Sequence, residues 1–141
     1  MIVSVVNKSN NALPQYETPG AAGLDVKCTK DFAIDPGGRE LVPTGLYMEI
    51  PAGYEVQVRP RSGLAVKHGI TVLNTPGTID SDYRGELCVI LINHGPRSVE
   101  FTAGDRIAQI VLSKVERIEW LATESLTGSK RGDKGFGSTG Q

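Results

Sequence analysis

A chain of 141 residues accommodates one domain with one core. Its 15 Lys+Arg against 16 Asp+Glu leave a net charge of −1, so no whole-molecule basic field exists to grip a polynucleotide, and 6% aromatic content excludes a broad base-stacking platform. Seventeen glycines and eight prolines beside 39% hydrophobic residues predict a turn-rich folded domain rather than a disordered chain.

Ile2–Val6 reads as a first short strand, without the basic start or the length of a secretory signal. Leu24–Cys28 and Leu46–Ile50 follow, separated by the turn Asp35-Pro36-Gly37-Gly38. Tyr54, Val56 and Val58 alternate with Glu55, Gln57 and Arg59, the signature of a half-buried strand. Ser62-Gly63-Leu64-Ala65-Val66-Lys67-His68-Gly69 breaks the β pattern and predicts one short helix, with Ser62 as N-cap and Gly69 as the C′ glycine. Its start presents unpaired N–H groups, a seat for an anion. Ile70–Leu73, Leu87–Ile92, Ile107–Leu112 and Val115–Trp120 complete the strands, and a hairpin is expected between Leu73 and Leu87. Leu87–Ile92 does not alternate, so both its faces need cover, which a second subunit can supply. That run is also the longest apolar stretch and is far below membrane-spanning length. The expected class is all-β, a barrel or jelly roll with one short helix.

Residues 1–124 are expected to form the β domain and 125–141 a flexible arm. From Thr127 onward Phe136 is the only large apolar residue, set among glycines with Lys130, Arg131 and Lys134 against Asp133. Such a segment orders itself poorly by burial. It is either a frayed end or a closure for a charged, planar ligand. Cys28 and Cys88 are expected as reduced, buried thiols. With His68 and His94 as the only histidines, neither a zinc site nor a Ser–His or Cys–His nucleophile is indicated.

Four further segments bear on chemistry. Asp80 and Asp82, two apart, share a face in an extended segment, which suits a general base or a metal as well as it suits an Asp-rich turn. Pro60-Arg61-Ser62-Gly63 places a cation and a hydroxyl at the helix start, as phosphate equipment or as a simple cap. Asp25 opens a strand, and Gly104-Asp105-Arg106-Ile107-Ala108-Gln109 is a turn entering one.

In this order, Ala21-Ala22-Gly23-Leu24-Asp25, Pro60-Arg61-Ser62-Gly63, Gly77 to Glu86, Gly104 to Gln109 and Arg131 to Gly140 resemble the five motifs of the trimeric dUTPases, the deoxyuridine triphosphate nucleotidohydrolases. The resemblance implies a dUTPase-like jelly roll and a homotrimer with shared active sites. It implies hydrolysis of dUTP to dUMP and pyrophosphate with Mg²⁺, which keeps uracil out of DNA and supplies dUMP for dTMP synthesis. Asp80 would be the general base and Asp25 would hold the metal through water. Arg61, Ser62, Gly63 and Gln109 would meet the phosphates. Asn74, Gly77, Thr78, Ile79 and Tyr83 would select base and deoxyribose. Phe136 would cover the uracil while Arg131, Gly137, Ser138 and Thr139 close over a neighbouring site. No polynucleotide or membrane partner is implied, and without a targeting segment the location is cytoplasmic. A dCTP deaminase of the same fold and a non-catalytic nucleotide-sensing trimer are the alternatives.

Overall fold

Alternating residues become sheet wherever one side of the strand finds a core. The computed structural model describes residues 1–135. Their ten strands are β1 (Ser4–Asn7), β2 (Leu24–Lys27), β3 (Phe32–Ile34), β4 (Arg39–Glu49), β5 (Tyr54–Arg59), β6 (Ile70–Val72), β7 (Gly77–Ile79), β8 (Glu86–Asn93), β9 (Val99–Phe101) and β10 (Arg106–Lys114). The single helix α1 spans Ser62–His68. One four-stranded sheet runs β1-β4-β8-β6, a second runs β2-β10-β5-β7, and β3 pairs with β9 alone. All pairings are antiparallel.

Both sheets turn one face to a single core. Val42, Val72, Val89 and Leu91 from the first meet Val26, Val56, Val58 and Ile110 from the second. The β3–β9 pair closes one end, with Phe32 and Phe101 stacked at 4.7 Å between ring centroids. This is the expected all-β jelly-roll-like class with one short helix. None of the helical structure is long and apolar enough to cross a membrane among the described residues.

Two β-bulges break the two-residue period. In β4 the register shifts between Pro43 and Tyr47, leaving Thr44, Gly45 and Leu46 buried in succession. Gly45 sits at φ 73 there, and a Cβ would come within 2.9 Å of the Ser9 nitrogen. The second shift, between Arg106 and Ala108 of β10, buries Ile107 and Ala108 side by side.

Several expectations are corrected. Helix α1 is capped at Arg61 rather than Ser62, and no side chain completes the cap; Ser62 is its first helical residue. Gly69 does close the helix, at φ 70, with its N–H on the carbonyl of Ala65. Strand β8 alternates after all: Leu87, Val89 and Leu91 are buried, whereas Cys88, Ile90 and Ile92 are half-buried on the outer face. Cys88 is accordingly half-buried, and only Cys28 is fully buried; both are free thiols. Val115–Trp120 forms no strand. Val115 makes one last backbone bond to Gly53, and Ile118 and Trp120 stand 71% and 85% exposed, because both sheets' inner faces are already filled.

Asn93 ties the end of β8 to its surroundings. Fully buried, its Nδ2 donates to the carbonyls of Ile34 and Arg97 at 2.8 Å each, and its Oδ1 accepts from the Gly95 N–H at 2.8 Å. An Asn93→Ala substitution strands the buried Ile34 carbonyl and removes the partner of the less buried Gly95 N–H and Arg97 carbonyl, so we expect urea denaturation to report a stability loss of about 1–3 kcal/mol.

Candidate active site

The pairings of β2, β10, β5 and β7 lay two polar clusters along one sheet. At one end Gln109 of β10 lies between Asp25 of β2 and Arg59 of β5. At the other, Lys114 is paired with Tyr54. Strand β7 runs between them: Gly77 stands opposite Val58, one row from the Arg59–Gln109 pair, whereas Asp80 follows the Ile79–Val56–Leu112 row and lies about four residues, roughly 14 Å at 3.4 Å per residue, along the strands from Gln109.

The first cluster is built on Asp25. The Arg61 Nε donates to its Oδ1 at 3.2 Å, and an Arg106 guanidinium nitrogen stands 3.4 Å from its Oδ2. Arg61 also donates to the Arg106 carbonyl at 3.1 Å, and the Gln109 amide donates to the Pro60 carbonyl at 2.9 Å. The Asp25 and Arg61 side chains keep about a quarter of their surface exposed, so the pairing is partly shielded from water. Ser62 and Gly63 begin α1 and are exposed, and a Cβ on Gly63 would meet nothing within 4 Å. The first helical N–H bonds, from Leu64 and Ala65, go to the Arg61 carbonyl, which leaves the two preceding N–H groups outside the helical ladder. A cleft of about 490 Å³ runs past Arg61, His68 and Arg106 toward Glu100 and Phe101.

The second cluster lies at the β7 hairpin. Gly77, Thr78 and Ile79 pair with Val58, Gln57 and Val56 of β5. Strand β7 is the edge of its sheet, so its outer N–H and C=O groups pair with no strand among the described residues. Asn74 packs against Gly77, whose Cβ would lie 3.2 Å from the Asn74 Nδ2. After Ile79 the chain turns, with the Tyr83 N–H on the Asp80 carbonyl at 3.2 Å. Asp80 and Asp82 are exposed and face one cleft of about 820 Å³, bordered also by Thr78, Tyr54, Glu55 and Lys114. The Tyr83 hydroxyl donates to the Glu86 carbonyl at 3.0 Å, and the Glu86 carboxylate accepts from the Gly45 N–H in the β4 bulge at 2.7 Å.

The structure therefore brings Asp25, Arg61 and Gln109 together, and separately Asn74, Gly77, Thr78, Ile79, Asp80 and Tyr83; the second group starts beside the first, at the Gly77–Val58 row, and runs away from it toward Asp80. Arg131 belongs to neither: it is exposed, with its Nε on the Lys134 carbonyl at 2.9 Å. Phe136, Gly137, Ser138 and Thr139 lie outside the described residues.

Three contributors escaped the sequence reading. Arg106 reaches Asp25 only because the β10 bulge rotates it off the face of Ala108. Arg84 donates to the carbonyls of Ser81 at 2.7 Å and Tyr83 at 3.1 Å, and stands 3.6 Å from Glu49. Gly85 lies beneath the Tyr83 ring, and the Tyr-x-Gly spacing, which puts both on one face, was the available signal.

No His, Cys, Asp and Glu side chains converge in threes among the described residues. Burial pushes both thiols up, with Glu86 adding to the effect at Cys88, so neither is an activated nucleophile. The arrangement offers single carboxylates, guanidiniums and open backbone. That set suits an anionic ligand accompanied by a hydrated cation rather than a protein-caged metal.

The chain was compared with known proteins. The dUTPase family model matches residues 9–140. A deoxyuridine 5'-triphosphate nucleotidohydrolase from an Anaeromyxobacter species is 60% identical over 129 residues, covering 92% of this chain and 88% of that one. Among solved structures, the Staphylococcus bacteriophage 80alpha dUTPase with dUpNHpp aligns with a TM-score of 0.90 at 24% identity, over 99% of each chain. A mutant dUTPase from phage phi11 of S. aureus, described with a coordinated structural Mg(II) ion, aligns at 0.80 and 20% identity, over 89% of this chain and 98% of that one. At such identities the structural likeness concerns the fold.

Arg84 is largely exposed, so an Arg84→Ala variant is expected to lose less than about 1 kcal/mol of stability. Hydrogen exchange at the Tyr83 amide should nevertheless quicken relative to wild type, because two carbonyls of its turn lose their clamp.

Proposed function

The chain belongs to the dUTPase family and is a dUTP diphosphatase, and from that premise we propose that its two polar clusters are halves of a site completed between subunits of a homotrimer. The spacing of roughly 14 Å along the strands between Gln109 and Asp80, with β5 lying between their strands, supports this reading, since a triphosphate held by Arg61 and Gln109 would be out of reach of Asp80 on the same chain. The half-buried outer residues of β8, with Leu41 at 59% exposure opposite Ile90, supply apolar surface for an interface.

The observation that carries the substrate reading is the open edge of β7 beside Asp80 and Tyr83. Backbone between Asn74 and Ile79 would pair with the polar edge of uracil and leave the reversed groups of cytosine unmatched, a discrimination worth about 1–3 kcal/mol per buried mismatch. Thymine differs by one methyl group, which a close wall excludes sterically. Tyr83 would lie under the deoxyribose and leave no room for a ribose 2′-hydroxyl.

Arg61, the N–H groups of Ser62 and Gly63, and Gln109 would bind the phosphate chain. Asp80, exposed at the hairpin, would take a proton from water as that water attacks the α-phosphate, releasing pyrophosphate and leaving dUMP. Both Asp25 oxygens are already engaged by guanidiniums, so this residue would hold the water shell of a Mg²⁺ rather than ligate it directly. When bound, the ion would neutralise phosphate charge as the leaving group departs. Residues 125–141 would form a lid over a neighbouring site, with Phe136 on the base and Arg131, Gly137, Ser138 and Thr139 on the phosphates. The enzyme would act on free nucleotide in the cytoplasm, lowering dUTP and supplying dUMP.

Pyrophosphate release should be rapid from dUTP, slow from dTTP, dCTP and UTP, and dependent on Mg²⁺; ammonia from dCTP would instead establish the deaminase alternative. The Asp80→Asn variant should bind a non-hydrolysable dUTP analogue with near-wild-type affinity by calorimetry while turnover falls about 10²–10⁴-fold. Full turnover in that variant excludes Asp80 as the base, and tight binding without turnover in the unaltered protein would favour a nucleotide sensor. Truncation after Leu126 should leave a trimer by light scattering with severely reduced turnover; wild-type kinetics would exclude the lid.

A further inference from the structure

The turn that carries Asp80 also fixes an aromatic ring in an unusual way. The Tyr83 side chain lies forward along the segment that leads into β8, so that the phenol end of the ring occupies the space where residue 85 would carry a Cβ. An added Cβ on Gly85 would coincide with the Tyr83 Oη and Cζ and stand 2.8 Å from Cε2. The same pose brings the hydroxyl to the Glu86 carbonyl, 3.0 Å away. Glu86 is itself tied to the β4 bulge through Gly45, so the ring is referenced to the core sheet rather than to the exposed turn. Tyr83 remains 45% exposed on its other side.

Gly85 does not have a positive φ, so its backbone is open to any L-residue. The demand for glycine here is therefore one of space and not of backbone conformation. We propose that Gly85 is a positioning residue of the active site: its missing Cβ is the seat in which the Tyr83 ring rests, and it thereby sets the floor against which the sugar is read. The sugar clause rests on the reading of Tyr83 given above; the seating of the ring does not.

In a Gly85→Ala variant the new methyl takes the seat. The ring must swing toward its exposed side, and the hydroxyl leaves the Glu86 carbonyl. The full-length protein labelled with 3-fluorotyrosine has four tyrosines, and a Tyr83→Phe variant assigns the resonance that matters. We expect Gly85→Ala to move that ¹⁹F signal and leave the other three in place, without nucleotide. The kcat/KM for dUTP should fall about 10- to 100-fold, as for other small displacements of positioning groups. Its ratio to the value for UTP should fall as well. In the Tyr83→Ala background there is no ring to displace, so Gly85→Ala should add nothing further.

An unmoved Tyr83 signal, or full additivity of the two substitutions, overturns the inference. If the signal moves while the dUTP:UTP ratio stays constant in every variant, Gly85 seats the ring and the deoxyribose role of Tyr83 is what fails. Should Gly85→Ala alone not fold, the double variant must fold and match Tyr83→Ala; a double variant that stays unfolded also overturns the inference.

Discussion

The antiparallel register of β5 with β10 is the constraint on which the rest depends. It sets Gln109 against Arg59 at one end and Lys114 against Tyr54 at the other, and β7 on the far side of β5 carries the chain from the first end toward the second, where Asp80 lies. Alternating burial of Val56 and Val58 locks that register, because a one-residue slip would turn both valines out of the core. A protomer built this way holds Asp80 and its cationic cluster rigidly apart. Neither can move toward the other without breaking a sheet. In the homotrimer proposed above, another copy would complete the site and would cover the half-buried outer face of β8.

Rigidity is interrupted only at the two bulges, and both serve a polar cluster. The bulge in β4 leaves the Gly45 N–H unpaired with β8, and the Glu86 carboxylate takes it, which anchors the strand that follows Tyr83. The bulge in β10 turns Arg106 outward to Asp25 while keeping Ile107 and Ala108 in the core. Each insertion, two residues in β4 and one in β10, redirects a side chain that a regular strand would have pointed elsewhere.

That is also where the amino-acid sequence stops being legible. Strands with clean alternation, such as Tyr54–Arg59, and the helix ended by Gly69 can be read directly, since each follows from a single local period or a single cap. The first half of β4 cannot, because Pro43 and the bulge at Gly45 erase its period. Strands β3 and β9 have three residues each and exist only through their mutual pairing. Val115–Trp120 offers strand-forming residues but has no inner face to fill within the chain. At the candidate site, the proposed residues, including Asp25, Arg61, Asp80, Tyr83 and Gln109, are legible as motifs. Their division into two separate groups is not, because it depends on which strand lies beside which.

The pairing around Asp25 shows what a carboxylate does for a cluster of guanidiniums proposed to bind phosphate. Arg61 and Arg106 repel each other, and alone each guanidinium would spread into solvent, leaving the site to be assembled anew at every binding event. Asp25 places one oxygen toward each and holds both at the mouth of the same cleft. The three side chains keep an excess of one positive charge, enough to attract a phosphate chain without the mutual strain of two unpaired cations. Conversion of dUTP demands that such charge be in place before the leaving group develops its own, since donors fixed in advance need no reorganisation as the reaction proceeds. A nearly neutral chain thus carries a local cationic site by spending an anion to organise it.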